Sequence, residues 1–125
     1  LDASAGPIII AEHAYVDIGS LIQGPVYIGP YSIINPGSKL LKNISLGPMC
    51  KVGGELEGVI FQGFDNKQHD GFVGHSYIGE WVNLGANTNT SDLKNNYNNM
   101  LILDNRFLYI VIERDMIVST NSEPE

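Results

Sequence analysis

An all-β fold, a parallel β-helix wound from six-residue repeats, is predicted by three features of the chain. Every sixth residue from Ile10 is aliphatic for eight consecutive steps: Ile10, Val16, Ile22, Ile28, Ile34, Leu40, Leu46 and Val52. The next residue is often a turn former, as at Asp17, Gly29, Asn35, Gly47 and Gly53, which suits a backbone that bends at each step. Pro7, Pro25, Pro30, Pro36 and Pro48 exclude long helices over the same stretch. A period of six is neither that of a helix nor that of a single strand. It fits a short strand, a corner and the next strand, with three flats closing one triangular coil.

A second series, small or apolar, follows each aliphatic by four residues: Ala14, Ser20, Val26, Ser32, Ser38, Ile44, Cys50 and Leu56. Both series are expected to point inward and to stack on their counterparts one coil above, at the ~4.8 Å spacing of neighbouring strands. Residues 58–72, GVIFQGFDNKQHDGF, lose the sixfold phase and are expected to leave the prism as a loop, where function concentrates. Val73-Gly74, Ile78-Gly79 and Leu84-Gly85 restore the aliphatic-Gly signature. The Asn-rich stretch 87–99 predicts a second excursion. The repeat domain thus spans 1–99. Residues 100–118 carry two apolar runs around Asp104-Asn105-Arg106 and read as a β-hairpin or capping segment outside the repeat. The polar residues 119–125 read as a disordered tail.

The chain's 125 residues suffice for one domain with a narrow linear core. Seven basic against fourteen acidic residues give a net charge of −7, which argues against nonspecific binding to nucleic acid or anionic membranes. No apolar run approaches the ~20 residues of a membrane span, and no signal-peptide pattern opens the sequence, so a soluble, cytoplasmic protein is expected. The lone Cys50 falls in the inward small series, where a thiol packs as an apolar group. The start at Leu1, with LDASAGP running straight into the repeat, reads as excision from something longer.

The six-residue period, together with HDGFVGHSYIGEWVNLGANT from His69 to Thr88, resembles the C-terminal left-handed β-helix of the bifunctional N-acetylglucosamine-1-phosphate uridylyltransferase/glucosamine-1-phosphate acetyltransferase family. The resemblance extends to related sugar-1-phosphate nucleotidyltransferases, including glucose-1-phosphate thymidylyltransferase-type enzymes. It covers roughly residues 8–97, and His69, Phe72, Gly74, Val82, Asn83, Leu84, Gly85, Ala86, Asn87 and Thr88 align to the family motif without a gap. It implies a left-handed hexapeptide-repeat helix, a homotrimer, acetyl-CoA as co-substrate, and a sugar phosphate or nucleotide sugar as ligand. Mg is implied only if a nucleotidyltransferase domain lies upstream.

The resemblance gives His69 the role of general base, taking a proton from the sugar ammonium so that the free amine can attack the thioester; a neutral imidazole suits that step. Against this stands a solvated loop histidine among Asp65, Asn66, Lys67 and Asp70. Asn83 matches a position that hydrogen-bonds the amino sugar, and Ala86 one whose backbone lies near the acetyl group. His75 lies six residues past His69, one flat away from the matched base. Phe72 stands where the family has a Tyr that contacts the sugar. Asn35 replaces a phosphate-binding Arg, and the phosphate-binding Lys is about Leu56 here, with Lys51 and Lys67 nearby. These departures remove phosphate cations. Two further readings stay open: a noncatalytic trimerisation scaffold for an upstream nucleotidyltransferase domain, and an intersubunit zinc site of His13, His69 and His75.

Overall fold

A computed structural model describes residues 1–90, 100–103 and 108–112. Among these residues there is no helix, and the chain is a β-solenoid of parallel, stacked coils. Each coil contributes short strands to three flats. The first flat holds β1 (Ile8–Ile10) and β4 (Val26–Ile28), and the second holds β2 (Tyr15–Val16), β5 (Ile33–Ile34), β7 (Lys51–Val52) and β9 (Asn66–Lys67). The third begins with β3 (Leu21–Gln23). Strands β6 (Lys39–Leu46), β8 (Glu55–Phe61) and β10 (Phe72–Ile78) start on the third flat and continue round its corner onto the first.

The register follows the repeat. Ile10 pairs with Ile28, Val16 with Ile34, Ile22 with Leu40 and Ile34 with Val52, each eighteen residues on. The inward columns form the core: Ile22, Ile28, Ile34, Leu40, Leu46 and Val52 of the first series, and Val26, Ser32, Ser38, Ile44, Cys50 and Leu56 of the second, are all buried. Ile10, in the first of the described coils, is 43% exposed. The inward serines are tied to carbonyls, as burial of a hydroxyl requires. Ser32 Oγ donates to Gly47 O at 3.0 Å and accepts from Cys50 N, and Ser38 Oγ donates to Asn35 O at 2.6 Å.

The corners carry the strain. Between the first and second flats the bend residue is His13, Tyr31, Met49, Phe64 or Trp81, all at φ between 55° and 63°. Left-handed backbone costs an ordinary L-residue ~1–2 kcal/mol, and side-chain stacking offsets part of it. His13 lies on Tyr31 and Phe64 on Trp81, each pair with ring centroids 4.8 Å apart. At the corner between the second and third flats the bend falls on Gly19, Gly37, Gly54, Gly71 and Asn87. The third corner is turned by Lys42-Asn43 in β6 and by single residues, Gly58 and His75, in β8 and β10.

The expected departure of residues 58–72 from the prism is corrected. Leu46 pairs with Phe61 and Val52 with Lys67, fifteen residues on, and Leu56 then pairs with Val73, seventeen on. The segment is therefore a shortened coil that stays in the stack. The single-residue corner at Gly58 and the compact Gly53-Gly54 corner absorb the missing residues, which shifts the sixfold phase without breaking the ladder. Residues 87–90 continue the coil, with Thr90 N donating to Phe72 O at 2.9 Å; the rest of the expected 87–99 excursion lies outside the described residues. So do residues 104–107, the centre of the expected hairpin, and the 119–125 tail. Strands β11 (Met100–Leu103) and β12 (Leu108–Ile112) pair antiparallel, and β12 also lies parallel on β10, with Ser76 opposite Ile110.

Because the core is one residue wide in each column, truncation of an inward side chain is expected to cost far more than truncation of an outward one. Leu40→Ala and Leu46→Ala should each lose about 2–5 kcal/mol in urea unfolding, whereas Ile9→Ala, at a half-exposed outward position, should lose under about 1 kcal/mol.

Candidate functional site

The second corner is where the chain concentrates polar chemistry. Two residues, His69 and Asp70, are inserted relative to the coil below, because Gly53-Gly54-Glu55 follows Val52 where Gln68-His69-Asp70-Gly71-Phe72 follows Lys67. Both side chains are exposed, and the corner has the six-residue spacing of the Ile34–Leu40 corner two coils below. One coil further on, Ala86 and Asn87 occupy the matching corner. Asn87 N donates to Asp70 O at 2.8 Å, so the His69-Asp70 and Ala86-Asn87 corners are in register. Of the expected site residues, the structure thus brings His69 and Ala86 together on successive coils.

Asn83 is exposed on the adjoining second flat, bridged to Asn66. Phe72 opens the third flat just past this corner. Its N–H donates to Asn89 Oδ1 at 2.8 Å, and its half-buried ring lies over Gly74, where a Cβ would come within 2.6 Å of its edge. His75 sits at a different corner with its ring against Gly58. His13, His69 and His75 therefore occupy three different edges of the prism, and within one chain they do not converge. Among the described residues no group of three or more His, Cys, Asp or Glu is placed to hold a metal ion.

Two residues that the sequence places in a solvated loop lie inside the prism instead. Asp65 and Lys67 are buried in the core, at 2% and 0% exposure. They occupy the inward columns of Cys50 and Val52, and the signal was present in the sequence: Phe61, Asp65 and Lys67 repeat the +4 and +6 spacing of Leu46, Cys50 and Val52. Asp65 accepts from Val82 N at 2.8 Å and Gly63 N at 3.3 Å. Burial pushes its carboxyl up to about 6, against the lowering effect of those N–H groups. Lys67 Nζ donates to Gly53 O and His69 O, each at 2.7 Å. Burial pulls the ammonium down to about 8, against the opposing pull of Asp70.

Lys67 is therefore committed to backbone carbonyls and does not face a phosphate. Asn35 is likewise committed, its Nδ2 donating to Gln68 O at 2.9 Å. On the flat that carries Asn83 the exposed cation is Lys51, one coil below Asn66. Burial pushes the Cys50 thiol up to about 11, which leaves it protonated and unreactive at neutral pH.

Parallel coils with inward columns at six-residue spacing, carried to one corner by the His69–Thr88 motif, make this chain a hexapeptide-repeat β-helix. Within that class its sequence is similar to bifunctional protein GlmU. The protein of that name from Streptococcus uberis is 32% identical over 122 residues, 90% of this chain and 25% of the relative. Those from Wigglesworthia glossinidia brevipalpis and Azoarcus sp. are 32% and 29% identical over 83% and 85% of the chain, covering 20% and 21% of the relatives. The chain thus spans a fifth to a quarter of the length of these relatives. No family model matches it, and no solved structure matches it significantly.

The buried ionisable pair gives a pH prediction. Between pH about 4, the ordinary aspartate value, and about 6, folded Asp65 holds a proton that the unfolded chain has released, so its contribution to stability falls as pH rises. Between about 8 and about 10.4, unfolded Lys67 holds a proton that the folded chain lacks, so stability rises with pH. The urea midpoint of the unmodified chain, measured relative to Asp65→Asn, should fall from pH 4 to 6. A difference that stays flat across that window would contradict the burial of Asp65.

Proposed function

We propose that this chain is the β-helical part of a transferase acting on a sugar phosphate or nucleotide sugar, and that it serves acetyl-CoA-dependent acyl transfer with His69 as general base. The observation that carries the reading is the exposed His69-Asp70 pair held in register with Ala86-Asn87, with Asn83 on the adjoining flat. In this reading the neutral His69 imidazole removes a proton from the substrate ammonium. The amine attacks the acetyl thioester, the C–N bond forms, the C–S bond breaks, and the thiolate of coenzyme A leaves. Ala86, small and exposed, leaves room for the acetyl group, Asn83 contacts the sugar, and Phe72 offers its ring edge but no hydroxyl. With Asn35 and Lys67 committed inside the fold, Lys51 is the cation offered to a phosphate. A homotrimer, in which a neighbouring subunit closes the exposed corner, completes the site.

A noncatalytic trimerisation scaffold is the second reading. It is favoured by the outward column Ile9, Tyr27, Ser45, Ile60 on the first flat, in which Ile9 and Ile60 are about half exposed. These side chains line a shallow apolar hollow with Pro7, Pro25 and Asn43, the kind of surface that association covers.

Calorimetric titration of acetyl-CoA into the purified chain, with light scattering to define its assembly, separates the two readings. Saturable binding, and turnover with an amino-sugar phosphate that drops by at least ~10²-fold in His69→Ala, is the expected result. A trimer that binds no acetyl-CoA would replace it with the scaffold reading.

A further inference from the structure

Lys67 stands in the inward column Val16, Ile34, Val52, Lys67, Leu84, in which every other member is aliphatic. A regularity at the second corner explains why a lysine is tolerated there. The carbonyls of Asp17, Asn35 and Gly85 each accept a hydroxyl from the residue three positions on: Ser20 at 2.9 Å, Ser38 at 2.6 Å and Thr88 at 2.7 Å. Two coils lie between the last two of these corners; in the upper one the equivalent carbonyl, Gln68 O, accepts from Asn35 Nδ2, and in the lower one it is that of Gly53, where the position matching Ser38 is Gly54, which has no hydroxyl. The ammonium of Lys67 donates to Gly53 O in its place.

Gly54 also makes the room. It adopts φ +78°, and a Cβ there would lie 2.7 Å from Lys67 Nζ and 2.8 Å from Gly71 O. The same ammonium donates to His69 O. It thus spans the place where a short corner meets a longer one, and ties the inserted residues to the coil beneath them, which has no backbone counterpart for them.

We propose that Lys67 is a positioning residue: by binding the Gly53 and His69 carbonyls together, it fixes the corner that presents the His69 imidazole in register with Ala86. The catalytic part of this inference rests on the reading of His69 as the base; the clamp itself rests on geometry alone. Removing the ammonium leaves the Gly53 carbonyl, buried, and the His69 carbonyl, part-buried, without this donor, so the corner loses its tether while the apolar columns above and below it remain stacked.

Two measurements on the purified chain in its native assembly test the clamp. In the unmodified protein, the Lys67 15Nζ resonance and the backbone 13C′ resonances of Gly53, His69 and Pro36 are followed from pH 6.5 to 9.5. The Gly53 and His69 carbonyls should move with the midpoint of Lys67, and that of Pro36, one coil lower, should not. In Lys67→Met, the His69 imidazole signals should shift and broaden while those of His13, at another corner, stay in place. The kcat for acyl transfer should fall roughly 10²-fold, the scale of an ångström-sized misplacement, with KM for acetyl-CoA unchanged.

Gly53 and His69 carbonyls that ignore the Lys67 titration would overturn the clamp, as would an unmoved His69 signal in the variant. If Lys67→Met does not fold, the titration of the unmodified chain decides alone. A chain without turnover whose carbonyls still follow Lys67 would remove the catalytic reading of His69 and retain the clamp.

Discussion

The coil-to-coil ladder is the constraint from which the rest of the structure follows. Each strand is only two or three residues long on a given flat, too short to be stable by itself, and its backbone groups find partners in the coils above and below. Once that ladder is in place, side chains in register form columns, and the character of a column is decided by its place in the prism. Leu40, Leu56 and Val73 share one inward column and are all fully buried. Their outward neighbours Leu41, Glu57 and Gly74 share another with no common chemistry. Burial demands apolar or hydrogen-bonded side chains in the inward columns, and the outward ones need share no chemistry.

The ladder tolerates coils of different length because corners and flats are separable. Shortening occurs only at corners, where Gly53-Gly54 and Gly58 turn in fewer residues than the equivalent bends below them, and the flats on either side keep their pairing. The consequence appears at the next corner up, where the usual six-residue spacing returns from Lys67 to Val73, His69 and Asp70 have no counterparts in the short corner beneath, and Lys67 supplies donors that the shortened corner lacks. Asp65 does similar work one flat edge away, accepting Val82 N much as Ser32 accepts Cys50 N. Burying an ammonium and a carboxylate is costly unless each is hydrogen-bonded. Here both are, and both sit in the coil whose irregular length leaves backbone groups in need of partners.

These features also explain what could be read from the sequence. The eight-step series from Ile10 to Val52 defined the repeat because every coil there has the same length, and its members from Ile22 onward are buried as expected. The phase was lost at Gly58 because a six-residue period counts residues along the chain, whereas the fold preserves register between coils. A shortened coil keeps the second and forfeits the first. Asp65 and Lys67 were misplaced for a related reason: charged residues beside Asn66, His69 and Asp70 suggest solvent, and only the +4, +6 spacing from Phe61 marks them as inward. The pairing of His69 with Ala86 was beyond a linear reading, since it depends on the seventeen-residue length of that particular coil.

The shape of the prism bears on any site at His69. A ligand pocket is concave and removes most of its ligand from water, whereas the edge of a triangular coil is convex. His69, Ala86 and Asn83 are exposed on or beside one such edge, so they can hold a small molecule firmly only if a second surface faces them. Exposed Ile9, Tyr27 and Ile60 on the first flat would give such a surface a reason to approach, because closed association of prism faces would remove them from water. Catalysis and assembly would then be linked through geometry. The base would stand on an edge, association would turn that edge into a cleft, and Lys67 would hold in place the two residues that line it.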